Sequence, residues 1–272
     1  MNEPPDIERR DYVQSIERAI TVITAFTGAG PDLALADLVE GTGLTKQTIR
    51  RILMTLEKLG FARSVGHRWT LTPRMLSLGY AYLSSVDLPG AAQPVMEALT
   101  DRIGEGTSVA VLDGTEVVYV NRVQRHRITS VPLAVGARLP AHATSMGHVL
   151  LAGAAAEDLE HYFAYADLRA LTVHTLSTRD HLTARLDLVR ERGWDAVDQE
   201  LEYGRRSAAA PVFGADGRVI AALSLSSSTT SRSFQSMVDE LVPPLVEAAA
   251  EISAALGAGT SSHHTPEQRG HP

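Results

Sequence analysis

No cysteine occurs anywhere in the 272 residues, so disulfides, thiolate metal sites and a cysteine nucleophile are excluded together. Long apolar runs are missing as well: no window approaches the ~18 consecutive apolar residues of a membrane span. Residues 1–10 are acidic and proline-bearing with no apolar stretch behind them, which is not the pattern of a secretory leader. There is no P-loop, and Gly28-Ala29-Gly30 and Gly41-Thr42-Gly43 lack the third glycine and the preceding strand of a dinucleotide site. No HExxH pair is present, and His142 and His148 have no acidic partner at metal-ligand spacing. These absences lead us to expect a soluble, cytoplasmic protein with no membrane partner, no metal and no cofactor.

Hydrophobic residues make up 44% and charged residues 21%, enough for a sizeable core and against wholesale disorder. The length suits one or two domains. A formal charge of −7 argues at first against a polyanionic partner, but the charges are segregated. Residues 9–75 carry ten Lys/Arg against six Asp/Glu, a net of +4, whereas residues 1–8 carry −3 and 76–272 carry −8. A basic head on an acidic body fits a two-part protein whose smaller part meets nucleic acid. Both lysines of the chain, Lys46 and Lys58, lie in that head.

Apolar residues recur at helical spacing over 13–26, and Gly28-Ala29-Gly30-Pro31 ends the run. Asp32 stands where it would cap a second short helix over 33–40, and Gly41-Thr42-Gly43 makes a tight turn. Thr45 caps a third helix over 46–59, closed by Gly60 in the left-handed conformation. On that helix Ile49, Ile52, Leu53, Leu56 and Leu59 fall on one stripe. Gln47, Arg51, Met54 and Lys58 point the opposite way, with Arg50 on the flank. A short helix, a glycine turn and a helix whose exposed start reads Lys46, Gln47, Thr48, Arg50 and Arg51 is the pattern of a helix-turn-helix. Gln and Arg suit bidentate contacts to adenine and guanine edges, while Lys and Thr suit phosphates. Two extended runs within 61–71, joined around Val65-Gly66-His67, predict a β-hairpin. This wing would project Arg63, His67 and Arg68 towards a phosphate or the minor groove.

Pro73 breaks the chain, and 74–84 is apolar at helical spacing through Met75, Leu78 and Tyr82. Such a linker helix must pack on its own body or on a second copy. The second copy is the sharper reading, because a two-fold protein matches two half-sites about one helical turn apart. Beyond residue 89 the pattern predicts a helix over 91–103 and a hairpin of 107–112 and 116–123 turning at Asp113-Gly114, with a third extended run over 128–135. Helices are expected over 144–152, 156–165 and 179–192, and strands over 194–198, 207–213 and 218–226. A last helix covers 235–256, which Pro243-Pro244 must kink or begin. The Gly/Ser/His/Pro-rich end reads as a disordered tail. The class is α+β: a winged helix-turn-helix over 11–72, a linker helix over 73–88, an antiparallel sheet with helices on its faces over 89–256, and a tail over 257–272.

In the body, Ala143-Thr144-Ser145-Met146-Gly147 narrowly misses the G-x-S-x-G nucleophile elbow, with alanine where the first glycine is needed. A binding pocket is the better reading. Ser145 and Met146 begin a helix whose free N–H groups suit a carboxylate. Ser224 and Ser226 alternate with leucines, so their hydroxyls share one face of a strand. Asp198 ends a strand, and Ser207 starts another behind Arg205-Arg206. Polar groups on apolar elements fit a small, partly apolar acid.

Six segments carry a family resemblance: VQSIERA (13–19), GLTKQTIRRILMTLEKLGF (43–61), LTPRMLSLG (71–79), RLPAHATSMG (138–147), VDQELEYG (197–204) and AALSLS (221–226). In order and over about 11–256, the chain resembles the IclR family of bacterial transcriptional regulators. The stretch VPLAVGARLPAHATSMG (131–147) is similar to the branch that regulates protocatechuate, 4-hydroxybenzoate and β-ketoadipate catabolism. The resemblance implies a winged helix-turn-helix, a linker helix and a GAF-like effector domain, assembled as a homodimer or a dimer of dimers. It also implies that Ser145, Met146, Asp198, Ser207, Ser224 and Ser226 line the effector pocket. His142 and His148 depart from the aromatic and the arginine expected there in that branch, and His142 would make affinity pH-sensitive near neutrality.

The expected function is an effector-responsive regulator, not an enzyme, that binds double-stranded operator DNA and an aromatic or dicarboxylic acid. Lys46, Gln47, Thr48, Arg50, Arg51, Arg63 and Arg68 would meet the DNA. The alternatives are a regulator answering a different small carboxylic or 2-oxo acid, a signalling module acting through protein contacts alone, and a hydrolase using Ser145 with His142 or His148.

Overall fold

The computed structural model describes residues 12–27, 30, 32–79, 87–124 and 134–258. The chain divides into two compact units at the junction of Val86 and Asp87.

The first unit contains α1 (Gln14–Thr24), β1 (Leu33–Ala34), α2 (Leu35–Thr42), α3 (Lys46–Lys58), β2 (Ala62–Val65) and β3 (Arg68–Leu71). Its core is small: Val22, Leu38, Ile49 and Leu53 are fully buried, with Leu56, Ala62 and Trp69 around them. Thr45 caps α3 as expected, its Oγ1 accepting from the Thr48 N–H. Gly60 follows the helix at φ +80, a conformation that favours glycine. Leu59 is exposed rather than part of the buried stripe, because α3 ends at Lys58 and position 59 lies about 80° off the stripe's centre.

The second helix begins two residues later than Asp32 predicted. Leu33 and Ala34 are drawn into the wing sheet, where Leu33 lies opposite Trp69. Asp37 then supplies the start of α2, its Oδ2 accepting from the Ala34 N–H at 2.8 Å. The strands order β1-β3-β2, and Val65 and Arg68 bracket the predicted turn.

The linker begins with a 3-10 turn, Pro73–Met75, which continues into a helical turn over 76–79. The rest of the predicted linker helix, 80–86, lies outside the described residues, as does the tail from 259.

The second unit contains α4 (Leu88–Ile103), β4 (Gly106–Asp113), β5 (Glu116–Val123), β6 (Arg138–Pro140), α5 (Ser145–Ala152), α6 (Ala156–Tyr165), α7 (Arg179–Arg192), β7 (Asp195–Asp198), β8 (Arg205–Phe213), β9 (Val219–Ser228) and α8 (Phe234–Ala255). The six strands form one antiparallel sheet in the order β6-β5-β4-β9-β8-β7. The third extended run was expected over 128–135; residues 128–133 lie outside the described residues, and Val135 falls in a turn before β6.

Helices α4 and α8 cover one face of the sheet. Thr107 donates to the Met96 carbonyl, Ser253 accepts from the Phe213 N–H, and an Arg102–Glu247 ion pair joins the two helices. On the other face Met146, Val149 and Leu150 of α5, with Leu182, Leu186 and Val189 of α7, pack against Ala110, Val117, Tyr119, Ala209 and Ala222. Pro243 and Pro244 neither begin nor interrupt α8, which starts at the Ser233 cap. Leu241, Val242 and Leu245 are buried on the prolines' flanks, and that packing outweighs the backbone hydrogen bonds they remove.

Candidate functional site

The surface of α3 is polar and cationic at its amino-terminal end. Lys46, Gln47, Arg50 and Arg51 are exposed, as are Met54 and Lys58. Thr48 is half-buried, and its hydroxyl lies 2.9 Å from that of Thr45, so it belongs to the helix cap as well as to the face. The wing is fastened to α3 by Glu57, whose Oε1 accepts from both the N–H and the hydroxyl of Ser64 at 2.9 and 2.8 Å. Arg63 is exposed on β2. Arg68 is differently placed: its Nε donates to Asp32 Oδ2 at 2.5 Å and its Nη2 to the Asp32 carbonyl at 2.8 Å. It ties the wing to the chain entering α2 instead of standing ready for a phosphate.

In the second unit a cavity of about 790 Å³ opens against the sheet. One wall is the start of α5, where Thr144, Ser145 and Met146 line it. This helix sits close on the chain before it because residue 147 is glycine: a Cβ there would stand 2.0 Å from the Ala141 carbonyl oxygen. The sheet supplies the opposite wall in rows set by register. Ser226 on β9 stands between Ser207 on β8 and Gly106 on β4, and Ser224 and Ser108 make the next row. The Ser145 and Ser207 hydroxyls lie 2.9 Å apart across the cavity floor. Five of the six residues expected at a pocket therefore line this cavity: Ser145, Met146, Ser207, Ser224 and Ser226.

Asp198 is the exception. Side chains alternate faces along a strand, and on β7 it is Val197 that lines the cavity. Asp198 consequently points the other way and receives Arg206 Nε at 2.8 Å and Nη2 at 3.2 Å.

Several lining residues escaped the sequence reading. Arg205 shares the face of Ser207, a parity visible in the sequence, and its Nη1 donates to Ser226 Oγ at 3.1 Å while its Nε pairs with Glu202. Tyr119 and Arg122 both line the cavity although they are three apart on β5. A β-bulge beside Val109 and Ala110 explains this: Tyr119 faces Ala110, Arg122 faces Ser108, and Val120 is the extra residue. Nothing in the local sequence marks that bulge. Burial pushes the Tyr119 phenol up while Arg122 and Arg205 pull the other way. Burial likewise pushes the Arg122 guanidinium down, and the neighbouring Arg205 charge adds to this.

The two histidines are structural. His148 is fully buried; its Nδ1 lies 2.6 Å from Asp195 Oδ2 and its Nε2 donates to the His142 carbonyl at 2.8 Å. Sequence spacing offered His148 no acidic partner, but the fold brings Asp195 to it from the strand after α7. Asp195 also pairs with Arg185 and Arg192, and Arg185 reaches Glu200 at 3.4 Å. Burial pushes the Glu200 carboxyl up, while His148 and Arg185 pull it down. His142 turns its Nε2 to the Arg169 carbonyl at 3.0 Å, and burial drives its pKa below the ordinary value. Its titration is thereby moved away from neutrality. A serine nucleophile needs a base within hydrogen-bond reach. Ser145 instead has Ser207 as its partner, and the two imidazoles are engaged elsewhere.

A winged helix-turn-helix unit joined to a sheet that holds a polar-ended cavity defines a ligand-responsive DNA-binding regulator. Residues 15–66 match the IclR helix-turn-helix domain, and residues 80–254 match the bacterial transcriptional regulator IclR C-terminal domain. The chain belongs to the IclR family of bacterial transcriptional regulators. It is 39% identical over 243 residues to the Pca regulon regulatory protein of Pseudomonas putida, covering 89% of this chain and 84% of that one. A crystal structure of a protein from Rhodococcus sp. RHA1, described as a transcriptional regulator, superposes with a TM-score of 0.81 at 43% identity, covering 90% of this chain and 98% of that one. An IclR homologue from Microbacterium hydrocarbonoxydans, crystallised with 4-hydroxybenzoate, superposes with a TM-score of 0.80 at 28% identity, covering 89% and 98%.

Proposed function

We propose that this chain binds operator DNA in the cytoplasm and regulates genes for aromatic-compound catabolism, of the protocatechuate and β-ketoadipate kind, in response to a small carboxylic acid. The convergence of Ser145, Ser207, Ser224 and Ser226 on one cavity at the start of α5 carries the reading. The acid's carboxylate accepts from these hydroxyls and from the N–H groups of Ser145 and Met146, where the helix dipole favours an anion. Asp198 takes no part in this site and braces Arg206. Regulation of a Pca regulon by one relative and the 4-hydroxybenzoate held by another support the aromatic assignment.

On the DNA side Gln47, Arg50 and Arg51 read base edges, Lys46 and Arg63 hold phosphates, and Thr48 sets the start of the helix. Arg68 positions the wing. The chain works as a homodimer, alone or paired into a dimer of dimers, and the bound acid changes operator affinity by linkage.

The test is a thermal-shift screen of the full chain against protocatechuate, 4-hydroxybenzoate and short dicarboxylic acids, paired with gel shifts on DNA upstream of its own gene. An acid at ~100 times its Kd adds about 2.7 kcal/mol of stability, and Ser145→Ala with Ser224→Ala removes that gain. Arg51→Ala weakens operator binding by about 1–3 kcal/mol. Silence across the acids overturns the catabolic assignment, and undiminished binding by Arg51→Ala overturns the reading of α3.

A further inference from the structure

We propose that Glu200 is a further contact of the bound acid: its carboxyl, protonated in the complex, donates from Oε2 to the acid's carboxylate, so that effector binding takes up a proton from solvent. The inference rests on the effector reading above and adds to it one residue and a dependence on pH. Glu200 lines the cavity yet is only 4% exposed. Its Oε2 is buried and has no hydrogen-bond partner among the described residues. Native proteins rarely leave a buried polar atom unbonded, and this one is held in place. The Glu200 carbonyl accepts from the Thr175 hydroxyl at 2.6 Å and from that of Thr172 at 3.4 Å, which fixes the backbone carrying the side chain.

That oxygen stands at the start of α5. His148 Nε2 lies 2.8 Å from the His142 carbonyl, just ahead of the helix, and 4.0 Å from Glu200 Oε2. Ser145 precedes His148 by three residues, the spacing of one helix face, and lines the cavity with Glu200. A carboxylate seated on Ser145, Ser207 and the first N–H groups of α5 therefore meets the Glu200 carboxyl. Two ionised carboxylates side by side repel one another; a proton between them removes the repulsion and makes a charge-assisted O–H···O bond. The charges around Glu200 are largely committed elsewhere. His148 from α5 and Arg185 from α7 face it, but both also pair with Asp195 of β7. His174 faces it from the loop before α7, and Glu202 and Arg205 beyond it pair with each other. Burial already holds the Glu200 carboxyl above its ordinary value, and a second anion raises it further.

Calorimetric titration of the full chain with 4-hydroxybenzoate, benzoate and adipate, in buffers of different ionisation enthalpy, counts the protons directly. A carboxyl whose pKa is higher in the complex than in the free protein makes binding tightest below the free value and weaker as pH climbs above it. The wild type takes up at least about half a proton per acid near neutral pH, and its affinity falls about threefold or more per unit between about pH 6 and about pH 8. Glu200→Gln, which donates from a neutral amide of the same shape, binds with no proton uptake, and at about pH 8 at least as tightly as the wild type. Glu200→Leu, equally neutral but without a donor, binds about tenfold more weakly than Glu200→Gln. The proton count on the wild type depends on no variant's folding. Binding without proton uptake, or uptake that persists in Glu200→Gln, overturns the role of Glu200 and leaves the effector reading in place. Failure of the wild type to bind any of the three acids removes the effector reading and this proposal with it.

Discussion

The His148 imidazole lies between two acceptors, the Asp195 carboxylate and the His142 carbonyl, and satisfying both requires a proton on each ring nitrogen. Burial on its own lowers the pKa of such a group. The hydrogen bond and charge of Asp195, with Glu200 nearby, outweigh burial and raise it above the ordinary 6.5. A base whose folded pKa is raised contributes stability that is complete below 6.5 and is lost as pH climbs through the folded value. The stability gap between wild type and His148→Asn in urea unfolding should therefore narrow as pH is raised from 6.5. A gap that stays constant with pH would show an unprotonated His148. His142 has the opposite sign: its lowered pKa gives stability present above 6.5 and lost as pH falls through its folded value.

At the level of elements, α5 shows how one residue type serves packing where the sequence resembles a catalytic motif. Gly147 completes the near miss to the nucleophile elbow, yet the backbone of Ala141 explains it: an added Cβ would meet that residue's carbonyl oxygen, Cα and carbonyl carbon, all within 2.5 Å. Because these are backbone atoms, only a shift of the whole helix relieves the clash. Gly147→Ala should lose about 3 kcal/mol in chemical denaturation, the upper end for overpacking, and carry Ser145 out of reach of Ser207. Wild-type stability in that variant would refute the close approach. The wing is fastened to α3 in a comparable way by Glu57 and Ser64, which the hairpin pattern alone did not reveal.

For the molecule as a whole, the proposed homodimer draws its support from an exposed apolar stripe. Val13 at the cap of α1 and Ile16 and Ile20 on the helix are exposed at helical spacing, and Leu76 and Leu78 are exposed where the linker begins. Each side chain of this kind gains about 1.5–3 kcal/mol on full burial, so a second copy covering the stripe gains several such contributions. Light scattering should give at least a dimer mass for the wild type and a shift towards monomer for Ile16→Glu, with weaker operator binding because two half-sites no longer engage together. A wild type that is monomeric at micromolar concentration would contradict this. The segregated charge, +4 over residues 9–75 on a chain of −7, would keep the body from competing for the DNA that the head binds.

Local rules were enough for much of this. The helical period with a threonine cap and a glycine stop gave α3 almost to the residue, and turn chemistry placed the wing at Gly66 and the β4–β5 turn at Gly114, both at positive φ. Strand parity put Ser224 and Ser226 on one face, because that alternation is a property of the chain itself. Contacts between distant segments were decided only by the tertiary structure. It brought Ser145 to Ser207, paired His148 with Asp195, drew Leu33 to Trp69 and so delayed α2, and spent Arg68 on Asp32. It also set register: Val197 took the cavity face in place of Asp198, and one bulge turned Arg122 inward. Helix periods and caps depend on neighbours a few residues away, whereas register, ion pairs and cavity walls depend on which remote strand or helix arrives alongside.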